Sequence, residues 1–145
     1  MLEAKYFLII DDDPDDREFF REALSQVFPS ALCREAIDGI AALAKLRTVS
    51  EQLPDYIFLD LNMPRKDGRE ALKEIRAHQE LRRVPVVVFT TSRADTDIDK
   101  VYELGANSFV TKPAGFDALV ATVTQLTGYW FGTVELPVLR GTSTP

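Results

Sequence analysis

The chain has 145 residues, of which 46% are hydrophobic and 28% are charged, and these values predict one folded globular domain. Its formal net charge is −6 and its Lys and Arg residues are scattered, which argues against direct binding of nucleic acid. No apolar run approaches the roughly 20 residues of a membrane helix, and the N-terminus lacks a signal-peptide pattern, so we expect no membrane span and a cytoplasmic location. The single cysteine, Cys33, excludes an internal disulfide and is predicted to be a small core residue.

Short apolar runs alternate with helical patterns along the chain. The runs predicted to be strands are Tyr6–Ile10, Ala31–Ala36, Tyr56–Leu59, Val84–Phe89 and Ser108–Thr111. The third and fourth contain uninterrupted apolar stretches rich in β-branched and aromatic residues. Such stretches are typical of strands that are buried on both faces of a parallel sheet.

Apolar residues at helical spacing predict a helix after each strand. The first helix is expected to have Asp13 as its N-cap, Pro14 at its first position and Asp16 in its first turn, where a negative charge favours the helix dipole. The second is expected to follow Asp38-Gly39, the third to follow Gly68, the fourth to end at Gly105 and the fifth to end at Gly128.

This alternation predicts an α/β fold of the flavodoxin-like type, a doubly wound (βα)5 domain whose parallel sheet has the strand order 2-1-3-4-5. The domain is expected to span residues 1–128. Residues 129–145 form a C-terminal extension in this interpretation. Its aromatic start, Tyr129-Trp130-Phe131, is predicted to dock on the domain or to serve as an interface, and its last residues are predicted to fray.

Polar side chains follow four of the five predicted strands. They are Asp11-Asp12 after the first strand, Asp60 after the third, Thr90-Thr91 after the fourth and Lys112 after the fifth. Because the carboxyl ends of parallel strands meet at one edge of the sheet, where α/β proteins bind ligands, we expect these side chains to converge.

The predicted cluster brings several negative charges together, and a metal ion would neutralise them. Three carboxylates in one cleft cannot all ionise cheaply. Oxygen ligands without His or Cys favour Mg²⁺ or Mn²⁺ over zinc. An Asp carboxylate can also act as a nucleophile toward a phosphoryl group, whose negative charge a cation and a Lys would balance.

These residues resemble the response-regulator receiver domain of two-component signalling over about residues 5–127. The matching elements, in order, are Asp11-Asp12, the segment from Asp60 to Gly68 with the sequence DLNMPRKDG, Thr90 and Lys112-Pro113. The tail and the Thr90-Thr91-Ser92 run are similar to single-domain regulators, including those paired with phytochrome-type kinases.

The resemblance implies that Asp60 accepts a phosphoryl group from a phosphohistidine on a sensor histidine kinase or a histidine phosphotransfer protein. It implies that Asp12 and Asp60 bind Mg²⁺ directly, that Asp11 acts mostly through water, and that Asn62 contributes its backbone carbonyl.

The resemblance also implies a switch around the phosphoryl group. Lys112 would neutralise the phosphoryl oxygens, Thr90 would move to hydrogen-bond one of them, and the ring of Phe109 would turn inward as it does so. Thr91 is expected to be small so that the entrance stays open. A cis peptide bond is expected between Lys112 and Pro113.

A receiver without an output module implies no separate turnover activity. Its output would be protein–protein contact with an unknown downstream protein, or a homodimer involving the fourth helix, fifth strand, fifth helix or C-terminal tail. Service as a phosphate sink or relay is an alternative.

Two other functional classes fit the residues less well. A haloacid-type phosphatase places its nucleophile after the first strand with a second acid two residues later, whereas Asp60 follows the third strand and the residue two positions on is Asn62. A flavin-binding protein needs a phosphate-binding loop after the first strand, where the acidic loop Asp11–Asp13 would repel phosphate.

Overall fold

A computed structural model describes residues 5–46, 53–63 and 67–133. The strands are β1 (Tyr6–Ile10), β2 (Leu32–Ala36), β3 (Tyr56–Leu59), β4 (Val86–Thr90) and β5 (Ser108–Thr111). The helices are α1 (Pro14–Val27), α2 (Gly39–Leu46), α3 (Gly68–Ala77), α4 (Asp95–Glu103) and α5 (Phe116–Gly132). None of the described helices is long and apolar enough to cross a membrane.

The five strands form one parallel sheet in the order β2-β1-β3-β4-β5, which confirms the predicted topology. β1, β3 and β4 are buried along their whole length, as their apolar sequences predict. One buried cluster joins the sheet to α2, α3 and α4, and a second joins its other face to α1 and α5. The sheet is therefore covered on both faces, and the three fully buried strands have polar groups only at their ends.

Cys33 belongs to the packing of the α1–α5 face. Burial raises the pKa of its thiol to about 12, and the nearby Glu35 carboxylate acts in the same direction. The thiol is therefore protonated at neutral pH, which agrees with a core role.

The start of α1 is as predicted. Asp13 has an extended backbone, and its side chain accepts hydrogen bonds from the backbone N–H groups of Asp15 (2.9 Å) and Asp16 (3.4 Å). Pro14 occupies the first helical position. This cap fixes the helix directly after the acidic loop that follows β1.

The predicted end of α5 at Gly128 is wrong, because the helix continues to Gly132. Gly128 is a weak stop signal that packing overrides here. The ring of Trp130 lies 5.8 Å from that of Tyr56, and the Tyr56 hydroxyl donates a 2.9 Å hydrogen bond to the Trp130 carbonyl. These contacts outweigh the cost of about 1 kcal/mol for a glycine inside a helix.

Candidate functional site

Backbone hydrogen bonds set the register of the residues at the carboxyl edge of the sheet. Asp11 donates its backbone N–H to the last carbonyl of β2 at 3.1 Å, and Asp60 donates to Ile10 at 2.9 Å. Lys112 donates to the Thr90 carbonyl at 2.8 Å. Each polar residue is therefore held by the neighbouring strand at the point where the sheet ends.

Three carboxylates meet at this edge. One oxygen from each of Asp11, Asp12 and Asp60 lies within 4.8 Å of the other two. Asp11 and Asp60 are buried and Asp12 is exposed. The ligand set contains only oxygens, so the chemistry of the donors fits a hard divalent cation, as the sequence predicts.

Lys112 lies among these carboxylates. Its Nζ donates to Asp11 Oδ2 at 2.7 Å and to Asp16 Oδ2 at 2.8 Å, and it lies 3.7 Å from Asp60 Oδ2. Burial alone would lower the pKa of Lys112, but the hydrogen bonds to Asp11 and Asp16 outweigh it, so the pKa lies above its ordinary value. The ammonium is therefore charged at physiological pH and balances part of the acidic cluster.

Asp11 is held at both carboxylate oxygens. Oδ1 accepts the backbone N–H of Asp13 at 3.0 Å, and Oδ2 accepts from Lys112. Its backbone carbonyl accepts from Arg17 at 2.8 Å, and Arg17 in turn pairs with Glu35 on β2 at 2.8 Å. The pKa of Asp11 lies above its ordinary value, because burial outweighs the hydrogen bonds that its carboxylate accepts from Lys112 and from the Asp13 backbone.

The Asp16 contact is the part of the site that the sequence analysis missed. Its position in the first turn of α1 is sufficiently explained by the helix dipole. Its approach to Lys112, 96 positions along the chain, depends on how α1 sits over the sheet. The sequence feature that could have indicated this contact is the spacing of Asp16, which lies about one helical turn after Asp12.

Thr90 is the last residue of β4 and is fully buried. Its Oγ1 has no hydrogen-bond partner among the described residues. A buried hydroxyl without a partner carries a desolvation cost, so its presence is informative. The Thr90 hydroxyl therefore has an unused hydrogen-bond donor at the carboxyl end of β4.

Three further predicted residues are described by the structure: Asn62, Thr91 and Phe109. Thr91 and Asn62 are exposed at the same edge. Phe109 lies on β5 and packs, partly buried, against the α2–α4 core cluster. Its backbone N–H donates to the hydroxyl of Tyr102 on α4 at 3.1 Å, a contact that sequence reasoning did not anticipate.

The cis peptide expected at Lys112–Pro113 is wrong, since this part of the chain contains no cis bond. The trans form of an X–Pro bond is intrinsically favoured by roughly 0.5–1 kcal/mol. Lys112 reaches its carboxylate partners with the trans bond.

A second polar cluster is centred on Asp97. Asp97 in the first turn of α4 accepts hydrogen bonds from Ser92 (2.6 Å) and from Arg69 at the start of α3 (2.6 Å). The hydrogen bond from Ser92, followed by that from Arg69, lowers the pKa of Asp97. The cluster joins α3, α4 and the loop after Thr90.

A cleft of about 320 Å³ opens beside the acidic centre, between α1 and α5. Asp11, Asp16, Asp60 and Lys112 line its polar end. Its apolar wall consists mainly of Phe19, Phe20, Phe58, Phe89, Phe116 and Leu119. The carboxylates are thus reached from the α1–α5 side.

Comparison with known proteins agrees with this geometry. A family model described as the response regulator receiver domain matches residues 7–124. The chain belongs to the response regulator receiver family. This membership confirms the prediction made from the motif positions.

Relatives of this receiver match it over nearly its whole length. It is 39% identical over 140 residues to the response regulator Rcp1 of Synechocystis sp., covering 92% of this chain and 93% of Rcp1. The phosphorylated cyanobacterial phytochrome response regulator RcpA superposes with a TM-score of 0.88 at 36% identity, covering 94% of this chain and 100% of RcpA. The Mn²⁺-bound form of Rcp1 superposes with a TM-score of 0.84 at 36% identity, covering 92% and 99%.

Proposed function

We propose that Asp60 is the phosphoacceptor of this receiver and that its phosphoryl group comes from a phosphohistidine on a histidine kinase or a histidine phosphotransfer protein. The observation that carries the proposal is the position of Asp60: its carboxylate lies within 4.8 Å of those of Asp11 and Asp12, and 3.7 Å from the Lys112 ammonium. The likeness to the phosphorylated RcpA supports it and favours a phytochrome-type kinase as the donor.

In this proposal an Asp60 carboxylate oxygen attacks phosphorus, and the new O–P bond forms as the P–N bond of a phosphohistidine protonated on its other ring nitrogen breaks. The electron pair of the P–N bond stays on nitrogen, so the imidazole leaves as a neutral ring that keeps this proton. Lys112 faces the oxygens on which negative charge collects, and the Thr90 hydroxyl donates to one of them. Thr91, which is exposed, leaves the entrance open.

Asp11, Asp12, Asp60 and the backbone carbonyl of Asn62 would hold Mg²⁺, for which Mn²⁺ can substitute. A bound divalent cation would neutralise the phosphoryl oxygens during transfer. The oxygen-only donor set supports this assignment, and so does the Mn²⁺-bound form of the relative Rcp1.

Phosphorylation adds about −1.5 to −2 charges at Asp60. We propose that Thr90 and Phe109 respond, and that the surface of α4 and β5 carries the signal to a downstream protein or to a second copy of the chain. The protein would act in the cytoplasm without a turnover activity of its own. Residues 1–128 would form the receiver and residues 129–145 an extension whose start docks on it, as the contact between Trp130 and Tyr56 suggests.

A phosphoryl mimic provides the direct test. With Mg²⁺ present, beryllofluoride should bind the wild-type chain, and Asp60→Asn should abolish that binding. Asp15→Asn is the matched control, because it removes one exposed carboxylate from the same edge of the sheet. Equal binding by the wild type and Asp60→Asn would refute the assignment.

Covalent transfer is tested separately. A small-molecule phosphodonor with Mg²⁺ should add the mass of one phosphoryl group, which hydroxylamine should remove because an acyl phosphate is labile to it. A chain that gains no mass, or gains it equally as Asp60→Asn, would contradict the acceptor role.

A further inference from the structure

Lys112 donates hydrogen bonds to two carboxylates in the resting chain, whereas Asp60 lies only within ion-pair distance of it. The hydrogen bonds to Asp11 and Asp16 are 2.7 and 2.8 Å long, whereas Asp60 Oδ2 is 3.7 Å away. An ammonium has three donors, and two of them are committed here. The group that should serve a phosphoryl oxygen on Asp60 is therefore pulled toward α1.

The two hydrogen bonds are not equivalent. The Asp11 side chain is 8% exposed and its second oxygen is bound by the Asp13 backbone, whereas the Asp16 side chain is 39% exposed. Breaking the bond to Asp11 would leave a buried carboxylate oxygen without a donor. Breaking the bond to Asp16 exposes a carboxylate that water can solvate, so it costs less.

The charge brought by phosphorylation acts on the same bond. A phosphoryl group at Asp60 competes for the ammonium and repels the Asp16 carboxylate that is bound to it. Both effects separate Asp16 from Lys112 and leave the Asp11 contact in place.

We propose that Asp16 is a positioning residue for Lys112: it holds the ammonium off Asp60 in the resting chain and gives it up when Asp60 carries a phosphoryl group. The inference rests on the proposed function of Asp60. Asp16, in the first turn of α1, thus joins the residues that determine the affinity for a phosphoryl group. Its hydrogen bond to Lys112 is given up when Asp60 is phosphorylated.

The test is the affinity for beryllofluoride at saturating Mg²⁺. Asp16→Asn removes the competing charge and should bind the mimic about two- to fivefold more tightly than the wild type, the range expected for loss of a partly exposed ion pair. Asp16→Glu restores the charge and should return the affinity toward the wild-type value. Asp15→Asn, which lies in the same turn and removes the same charge, should change the affinity less than Asp16→Asn does.

A second measurement uses the wild-type chain. The carboxyl ¹³C resonance of Asp16 should move on addition of beryllofluoride, toward the value that it has in Lys112→Met. An Asp16 resonance that does not move, or equal affinities of Asp16→Asn and Asp15→Asn, would overturn the role of Asp16 and leave that of Asp60 standing. Failure of the wild type to bind beryllofluoride would overturn both.

Discussion

The backbone of Gly68 lies directly against the backbone of Asp60. A Cβ added at Gly68 would collide with the Asp60 carbonyl oxygen and would lie 2.8 Å from Leu61 Cα. The Gly68 N–H donates to the Leu61 carbonyl at 3.0 Å, which ties the start of α3 to the end of β3. The absence of a side chain at Gly68 is therefore what lets α3 begin beside the proposed phosphoacceptor.

Gly68→Ala should destabilise the chain by about 1–3 kcal/mol, because the atoms that the new methyl group meets belong to the backbone and cannot swing aside. It should also weaken the binding of beryllofluoride by displacing Asp60. Chemical denaturation and a binding titration check the two effects.

Gly128→Ala is the control for this substitution. Nothing lies within 4 Å of a Cβ added there, and the residue is inside α5. This variant should be more stable than the wild type by about 0.5–1 kcal/mol. A Gly68→Ala variant that matched the wild type in stability would contradict the close approach.

Thr90→Val should have opposite effects on stability and on binding. Valine has the shape of threonine but lacks the buried hydroxyl, which has no partner in the described structure. The free energy of unfolding should therefore rise by about 1 kcal/mol. The same change removes the donor proposed for a phosphoryl oxygen, so beryllofluoride should bind more weakly. Thermal unfolding with and without the mimic measures both effects, and a loss of stability without ligand would show that the hydroxyl has a partner.

The pKa of Asp97 predicts a specific dependence on pH. Because the folded state lowers this pKa through Ser92 and then Arg69, the carboxylate contributes to stability above its unfolded pKa. The contribution is lost as the pH falls below about 4 and through the folded value. Asp97→Asn should cost about 1 kcal/mol at pH 7, since the side chain is partly exposed, and progressively less as the pH falls through the lowered folded pKa.

Asp95→Asn serves as the comparison for Asp97, because Asp95 is an exposed acid in the same helical turn. Denaturant unfolding at a series of pH values provides the measurement. The assigned role of the Asp97 carboxylate fails if the difference in the free energy of unfolding between Asp97→Asn and the wild type is the same at pH 7 and at pH 3.

Trp130→Ala should lower the free energy of unfolding by about 1–3 kcal/mol. The ring is partly buried against Tyr56, so the loss is smaller than for a fully buried tryptophan. Tyr129→Ala should cost less, because that side chain is 52% exposed. A chain truncated after Gly128 with unchanged stability would contradict docking of the extension.

Most of the site could be predicted because it depends on where strands end. Asp60 follows a strand of clear apolar sequence, Lys112 follows the short strand Ser108–Thr111, and parallel strands bring their carboxyl ends to one edge. What could not be predicted depends on the placement of helices. The bond of Asp16 to Lys112 and the continuation of α5 past Gly128 follow from how α1 lies over the sheet and how Trp130 meets Tyr56.

The hydrogen bond between Asp11 and Lys112 joins residues 101 positions apart, and Asp60 lies between them in the sequence. The proposed centre therefore comes into being only when β5 has joined a sheet begun by β1. A chain still emerging from the ribosome, or one that has lost its last strand, would present the acidic loop without the ammonium and would be a poor recipient. Phosphorylation would thus favour molecules in which β5 has joined the sheet over chains that are unable to respond.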